Sequence, residues 1–166
     1  MMLFLAYWAL PIRTAAGITS AHYRKAAPDF TLGDSKGASI RLSDYKGKVV
    51  LLDFWATWCS DCKTEIPWYI EFENRYKSSG LAVIGVSMDS SWELVKPFLE
   101  QQKMNYTVVM SSNEVTKLYG VRLIPMTLLI DRDGRVADYR IGVIDKNAFE
   151  SEIHILLHES AKNTAK

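Results

Sequence analysis

Apolar residues form short, nearly unbroken runs that alternate with amphipathic segments along the chain. Residues 48–54 (KVVLLDF) and 81–87 (LAVIGVS) contain many β-branched residues, which is typical of strands buried on both faces of a parallel sheet. Between them, residues 60–77 carry an apolar stripe at helical spacing, and Gly80 follows as a stop signal. The pattern therefore predicts a strand, a helix bent at Pro67, and a second parallel strand.

Weaker patterns predict further elements on both sides of this unit. Residues 30–32 and 39–42 flank a turn-rich segment and predict an N-terminal hairpin. Downstream, the pattern predicts helices over 92–99, 114–119 and 145–158 and strands over 106–110, 127–130 and 135–141, the last two joined by a hairpin turn at 131–134. This order predicts an α/β sandwich whose mixed sheet is parallel first and antiparallel last, with helices on its faces.

Length and charge narrow the possible partners. The chain has 166 residues, which suits one domain, and 20 Lys and Arg against 19 Asp and Glu leave a net charge of +1. This balance gives no electrostatic footprint for nucleic acid, and we expect no nucleic-acid partner. We expect residues 27–160 to form the domain and residues 161–166 to form a polar tail.

The N-terminal residues contain an apolar run at positions 3–12 (LFLAYWALPI). Ten residues are too few to cross a bilayer as a helix, but they fit the apolar part of a signal peptide, and small residues follow at 14–16. No Lys or Arg precedes the run, so the signal is incomplete. We expect residues 1–26 to be a signal, a membrane anchor or an N-terminal extension. The expected location is extracytoplasmic, with a cytoplasmic location as the alternative.

The two cysteines, Cys59 and Cys62, stand just after the first central strand. They are too few for a disulfide-rich scaffold or for a zinc site built from cysteine alone. The carboxyl end of a strand is where open α/β sheets place ligands and chemistry, which favours a functional pair. A permanent disulfide, two inert thiols, or a metal site completed by His154 and His158 remain alternatives.

The residues around the pair resemble a known family. The segment VVLLDFWATWCSDCKTEIPW (49–68) resembles thioredoxin, and APDFTL (27–32) and GVRLIPMTLLIDRDG (120–134) resemble its TlpA/ResA-like branch, which shares an N-terminal segment with AhpC/TSA proteins. The resemblance spans about residues 27–157. It implies a thioredoxin-like three-layer sandwich and a redox-active dithiol that exchanges disulfides with other proteins.

The expected helix start gives the two sulfurs different roles. Cys59 should lie at the helix N-terminus, where free N–H groups can lower a thiol pKa from about 8.5 to near or below 7, so it is the expected nucleophile. Cys62 should face inward and resolve the mixed disulfide. By resemblance, Asp53 is the buried acid that accepts the Cys62 proton, and Glu65 is a second acid near the pair.

Four further positions complete the predicted site. The family places a cis proline beside the CxxC pair and binds an extended substrate there, which assigns Ile124 and Pro125 to substrate binding. Trp58, adjacent to Cys59, should shield the thiol or contact the partner protein. Asp61 stands where the family usually has proline, and its charge should make Cys59 less acidic and the pair more reducing.

The sequence therefore predicts a protein-disulfide reductase of the cell envelope, of the cytochrome c maturation type, with no metal and no cofactor besides the dithiol itself. Its expected partners are proteins with disulfides or CxxC pairs and an upstream thiol donor, either membrane-bound or soluble. We expect a monomer. The alternatives are a peroxiredoxin-like peroxidase, although position 56 is Ala where such enzymes have Thr, and a metal-binding or copper-delivery module.

Overall fold

The computed structural model describes residues 17–160. Within this range it contains seven strands and four α-helices, which are β1 Thr31–Gly33, β2 Ser39–Arg41, β3 Val49–Trp55, α1 Ser60–Tyr76, β4 Leu81–Ser87, α2 Trp92–Gln102, β5 Thr107–Met110, α3 Asn113–Leu118, β6 Met126–Ile130, β7 Val136–Ile141 and α4 Lys146–His158. The apolar run 3–12, the small residues 14–16 and the polar tail 161–166 lie outside the described residues. None of the helices described is both long and apolar enough to cross a bilayer.

The main sheet has five strands in the order β5-β4-β3-β6-β7. Strands β3, β4 and β5 run parallel, while β6 is antiparallel to β3 and β7 is antiparallel to β6. The first two strands pair with each other as an antiparallel hairpin. The predicted α/β sandwich with a mixed sheet is therefore confirmed, and α1 runs through Pro67 as one helix.

Helices and hairpin cover the two faces of the sheet, giving three layers. Alternate residues of β3 belong to two separate apolar clusters, as the period-two geometry of a strand requires. One cluster unites Leu51 and Trp55 with α1, α2 and α4. The other unites Leu52 and Phe54 with α3 and the hairpin. Asp53 points to the same side as Leu51 and Trp55, which places it beneath α1.

The described part of the N-terminal segment, residues 17–26, packs against the domain. Ile18 is fully buried in the apolar cluster beneath α4, and the Thr19 N–H donates to the carbonyl of Ala137 on β7. The buried guanidinium of Arg24 binds Asp131 at 3.1 Å and Glu159 at 2.6 and 2.8 Å. This ion cluster ties the segment to the end of α4.

Gly85 on β4 leaves room for two aromatic side chains above the sheet. A Cβ atom at this position would lie 2.8 Å from Nε1 of Trp55 and 3.3 Å from Cε2 of Tyr106. Gly85 is also the register partner of Asp53. A residue without a side chain is therefore needed where Trp55 and Tyr106 approach the acid.

We expect Gly85→Ala to lower the free energy of unfolding by about 1–3 kcal/mol, because the new methyl group must displace buried ring atoms. Denaturant unfolding followed by tryptophan fluorescence measures the change. Gly33→Ala on β1 is the matched control, because a Cβ there meets nothing within 4 Å. Equal stability of the two variants would contradict the assigned role of Gly85.

Candidate active site

The predicted cysteine pair lies at the junction of β3 and α1. Cys59 is the N-cap residue of α1 and Cys62 lies in its first turn, and the two form a disulfide. The Cys62 N–H donates to the Cys59 Sγ at 3.2 Å, so one of the unpaired N–H groups of the helix start points at this sulfur. Cys59 is 7% exposed and Cys62 is 1% exposed. Cys59 is therefore the sulfur nearer to solvent.

The loop before Cys59 is fixed by the carboxylate of Asp89. Its oxygens accept the Thr57 N–H at 2.9 Å, the Thr57 hydroxyl at 2.6 Å and the Ser87 hydroxyl at 2.8 Å. Trp58 follows Thr57 and is 67% exposed, whereas Trp55 is fully buried. The anchored loop thus presents an indole to solvent directly beside Cys59.

Asp53 is buried at the centre of the sheet, as the sequence predicts. Its Oδ1 accepts the hydroxyl of Thr127 at 3.3 Å, and Thr127 is its register partner on β6. The Thr127 hydroxyl is in turn 3.0 Å from that of Tyr69 on α1. Burial raises the pKa of Asp53 well above its ordinary value, the charge of Glu65 adds to the rise, and the Thr127 hydrogen bond opposes it.

Glu65 is also buried, rather than lying on the exposed face of α1. Its Oε1 accepts the Ile144 N–H at 2.7 Å, whereas Oε2 has no hydrogen-bond partner within residues 17–160. Burial raises the pKa of Glu65 to about 7, and the charge of Asp61 also raises it, while the hydrogen bond from Ile144 and the hydroxyl of Tyr69 lower it. A carboxyl group in this state exchanges protons near neutral pH.

The structure adds three polar residues that the sequence analysis treated as packing or did not single out. Tyr69 was part of the apolar stripe of the helix, and Thr127 was only the start of a predicted strand. Tyr106 is buried near both acids, whose charges help to raise its pKa. A polar residue in the apolar run MTLLI was the one available signal for Thr127, whereas the place of the tyrosines depends on how α1 and the chain before β5 pack on the sheet.

Ile124 and Pro125 lie at the same end of the sheet as the disulfide. The bond between them is cis. Because Phe54 pairs with Met126 in antiparallel β3 and β6, Pro125 lies beside the end of β3 that leads to Cys59. Ile124 packs against the apolar cluster that contains both cysteines, and the neighbouring Leu123 is 67% exposed.

The remaining predicted position, Asp61, is exposed in the first turn of α1. The two histidines of the metal alternative lie on α4, where the Nε2 of His154 is 2.9 Å from the Tyr76 hydroxyl and the Nδ1 of His158 is 2.7 Å from the His154 carbonyl. Across residues 17–160, no group of three or more His, Cys, Asp or Glu side chains is arranged to hold a metal ion.

Comparison with known proteins connects this geometry to a family. Residues 23–139 match the model of the AhpC/TSA family. The thiol-disulfide oxidoreductase ResA of Bacillus thuringiensis is 40% identical over 127 residues, covering 76% of this chain and 73% of that protein. The ResA of Bacillus subtilis is 36% identical over 140 residues, covering 84% and 76%. The chain belongs to the ResA-like thiol-disulfide oxidoreductases of the AhpC/TSA family.

Solved structures agree with this assignment. A thiol:disulfide interchange protein DsbE from Chlorobium tepidum superposes with a TM-score of 0.77 at 37% identity, covering 81% of this chain and 96% of that one. The exposed lipoprotein thioredoxin Etrx1 of Streptococcus pneumoniae gives a TM-score of 0.69 at 31% identity, covering 78% and 100%. The thioredoxin-like fold and the oxidoreductase activity predicted from the sequence are confirmed.

Glu65 should make this oxidoreductase less stable as the pH rises. Its folded pKa of about 7 exceeds its ordinary value of 4.5, so the folded state binds more protons between these values and the free energy of unfolding falls there with rising pH. We expect Glu65→Gln to reduce this fall, by at most about 3 kcal/mol at a rate of 1.36 kcal/mol per pKa unit.

Denaturant unfolding of the oxidised protein, at pH values from about 4 to 8, measures how steeply the free energy of unfolding changes with pH. This range spans the ordinary and the folded pKa of Glu65. Glu114→Gln, at an exposed glutamate of α3, is the matched control and should keep the parent slope. If Glu65→Gln also kept the parent slope, Glu65 would not carry the proton uptake assigned to it.

Proposed function

We propose that the protein reduces disulfides of other proteins in the cell envelope, with Cys59 as the attacking sulfur and Cys62 as the resolving sulfur. The observation that carries this proposal is the position of the pair. Cys59 caps α1, receives the Cys62 N–H and is 7% exposed, whereas Cys62 lies in the first turn of the helix and is 1% exposed. A thiolate at a helix start is stabilised, and a buried thiol needs a base to lose its proton.

The proposed reaction transfers two electrons from the dithiol to the substrate. The Cys59 thiolate attacks one sulfur of the substrate disulfide, and the other substrate sulfur leaves as a thiolate. Cys62 then loses its proton and attacks the Cys59 sulfur, which releases the second substrate thiolate and leaves the Cys59–Cys62 disulfide. A thiol donor of the same chemistry restores the dithiol.

We assign Asp53 and Glu65 to the proton that Cys62 releases. Both carboxyl groups are buried on the side of the sheet that α1 covers, and burial raises the pKa of Asp53 well above its ordinary value and that of Glu65 to about 7. A base with a pKa near the working pH can accept a proton and give it up again in each cycle. Neither group needs to contact solvent for the acceptance step.

Substrate contacts are assigned to the exposed side of the junction. Trp58 and Leu123 expose large apolar side chains at the end of the sheet where the disulfide lies, and Ile124 and Pro125 follow Leu123 in the chain. Exposed aromatic and aliphatic side chains next to a reactive group favour contact with a partner protein. These four residues are therefore the proposed docking surface for the substrate segment.

The direction of electron flow follows from the charges around the pair. Asp61 lies in the first turn of α1, where its charge opposes the stabilisation of a Cys59 thiolate by the helix. A less stabilised thiolate makes the dithiol less stable relative to the disulfide. This supports a role as a reductant rather than as an oxidant.

The cellular setting is a further part of the proposal. The relative Etrx1 is described as an exposed lipoprotein, and the apolar run 3–12 fits export or membrane tethering. We therefore place the protein outside the cytoplasm, as a monomer that receives electrons from a membrane-bound or soluble thiol protein. Its proposed substrates are oxidised cysteine pairs of the cytochrome c maturation type, and the dithiol is its only proposed redox group.

Cys62→Ser should accumulate mixed disulfides with substrate proteins, because Cys59 can still attack but nothing resolves the product. Cys59→Ser is the matched control and should trap less than about a tenth as much. Non-reducing electrophoresis after incubation with a disulfide-containing protein such as insulin measures both. Equal trapping by the two variants, or no reduction of insulin by the parent dithiol, would overturn the proposed function.

Asp61→Asn should increase the thiolate fraction of Cys59 at a given pH, because it removes a negative charge from the first helical turn at nearly constant volume. The expected change is below about one pH unit, since the site is exposed. Thiolate absorbance of the reduced protein against pH measures it. Asp44→Asn, at an exposed acid in the short helix Leu42–Tyr45, is the control, and superimposable curves for all three proteins would contradict the role of Asp61.

A further inference from the structure

Asp53 lies at one end of a line of two hydroxyl groups, those of Thr127 and Tyr69. Thr127 donates its hydroxyl proton to Asp53 Oδ1 at 3.3 Å. A hydroxyl has one proton, so the 3.0 Å contact between Thr127 and Tyr69 requires Tyr69 to be the donor in this arrangement. The Tyr69 proton therefore supports the ionised form of Asp53 through Thr127.

The same tyrosine lies next to the second acid. Glu65 and Tyr69 are four residues apart on α1, which places their side chains one above the other on one helical face. Both are fully buried, and the hydroxyl of Tyr69 helps to lower the pKa of Glu65. Glu65 Oε2 is buried and makes no hydrogen bond within residues 17–160, so it is free to accept one.

We propose that the Tyr69 hydroxyl is a single donor for which Asp53 and Glu65 compete, so that the two carboxyl groups hold one proton between them. When Asp53 is ionised, Tyr69 donates to Thr127 and Glu65 keeps the proton. When Glu65 is ionised, Tyr69 donates to Glu65, and Asp53 holds the proton and donates it to Thr127. Tyr69 and Thr127 are positioning residues in this scheme, because their hydroxyl groups bind each other and Asp53 and act on the sulfurs only through the acids.

Electrostatics acts in the same direction as the hydrogen bonds. Two ionised carboxylates in one buried region repel each other, which favours a single negative charge. Other ionisable groups that face this region are Asp61, Tyr106 and Arg140, and the last lies opposite Thr127 on β7 and pairs with Asp138 and Glu152. Arg140 already pairs with Asp138 and Glu152. We therefore expect the charge of Asp53 or Glu65 to be neutralised by a shared proton rather than by this arginine.

The inference rests on the proposed function, in which these acids accept the Cys62 proton. The inference adds that protonation of one acid changes the hydrogen bonding, and with it the pKa, of the other acid. The pair then accepts one proton per cycle, as the attack of Cys62 requires.

The test measures the pKa of Asp53 and Glu65 separately, from the side-chain carboxyl carbon resonances of the labelled, oxidised protein against pH. Tyr69→Phe removes the donor and should raise the pKa of Glu65 by about 0.5 to 1. Thr127→Val removes the link to Asp53, which should raise the pKa of Asp53 and lower that of Glu65, since the Tyr69 proton is then free for Glu65. Thr127→Ser keeps the hydroxyl and should restore the parent values.

The double variant separates a shared donor from repulsion through space. If Tyr69 is the shared donor, Thr127→Val should lower the pKa of Glu65 clearly less in the Tyr69→Phe background than in the parent. An equal lowering in both backgrounds, or a Glu65 pKa that moves in the same direction in both single variants, would overturn the proposal.

The titration uses the disulfide form and involves no thiol exchange. Failure of the protein to reduce insulin would therefore contradict the proposed function without changing these resonances. Tyr69→Phe and Thr127→Val each remove a hydroxyl at nearly constant volume, and thermal unfolding of every variant confirms that folded protein is titrated. If a valine or phenylalanine variant did not fold, the Thr127→Ser protein compared with Thr127→Ala would test the same link, with the Glu65 pKa lowered only in the alanine variant.

Discussion

The carboxyl group of Asp53, buried inside the central strand of the sheet, is the constraint on which much of the active-site architecture depends. Strand β3 pairs with a neighbour on each side, and all seven of its residues are buried. An ionised acid at such a position is costly unless it is hydrogen-bonded or protonated. Thr127 on β6 supplies a hydrogen bond and Gly85 on β4 supplies space, so both register partners of Asp53 differ from the apolar residues around them.

The start of α1 gives the two cysteines unequal environments. Cys59 caps α1 and accepts an N–H, whereas Cys62 lies in the first turn of the helix and is buried in the apolar cluster beneath it. The helix start therefore stabilises a thiolate at Cys59, the more exposed cysteine, whereas the buried Cys62 needs a base to lose its proton. In the proposed reaction, the difference between the attacking and the resolving sulfur therefore arises from one backbone feature, the junction of β3 and α1.

The sequence predicted the order of the elements because their signals are local. The apolar runs of β3 and β4 and the stripe of α1 have the periods of buried strands and an amphipathic helix, and their bounds differ by a residue or less from those observed. The cysteines, the buried Asp53 and the isomer of Pro125 also agreed with the family resemblance. Tyr69, Thr127 and Tyr106 were not predicted as site residues, because their polar atoms meet only after α1 and the chain before β5 pack on the sheet.

Glu65 shows why an acid in a helix cannot be interpreted from its spacing alone. Three residues after Cys62, the same pattern fits an exposed glutamate or a buried one, and what separates them is the loop after β7. That loop brings the Ile144 N–H to 2.7 Å from Oε1, a contact 79 residues away in sequence. The hydrogen bond keeps the carboxyl group fixed in an apolar layer, where burial raises its pKa to about 7. The burial of Glu65 is thus set by tertiary packing, while Trp58 and Leu123 face solvent at the end of the sheet.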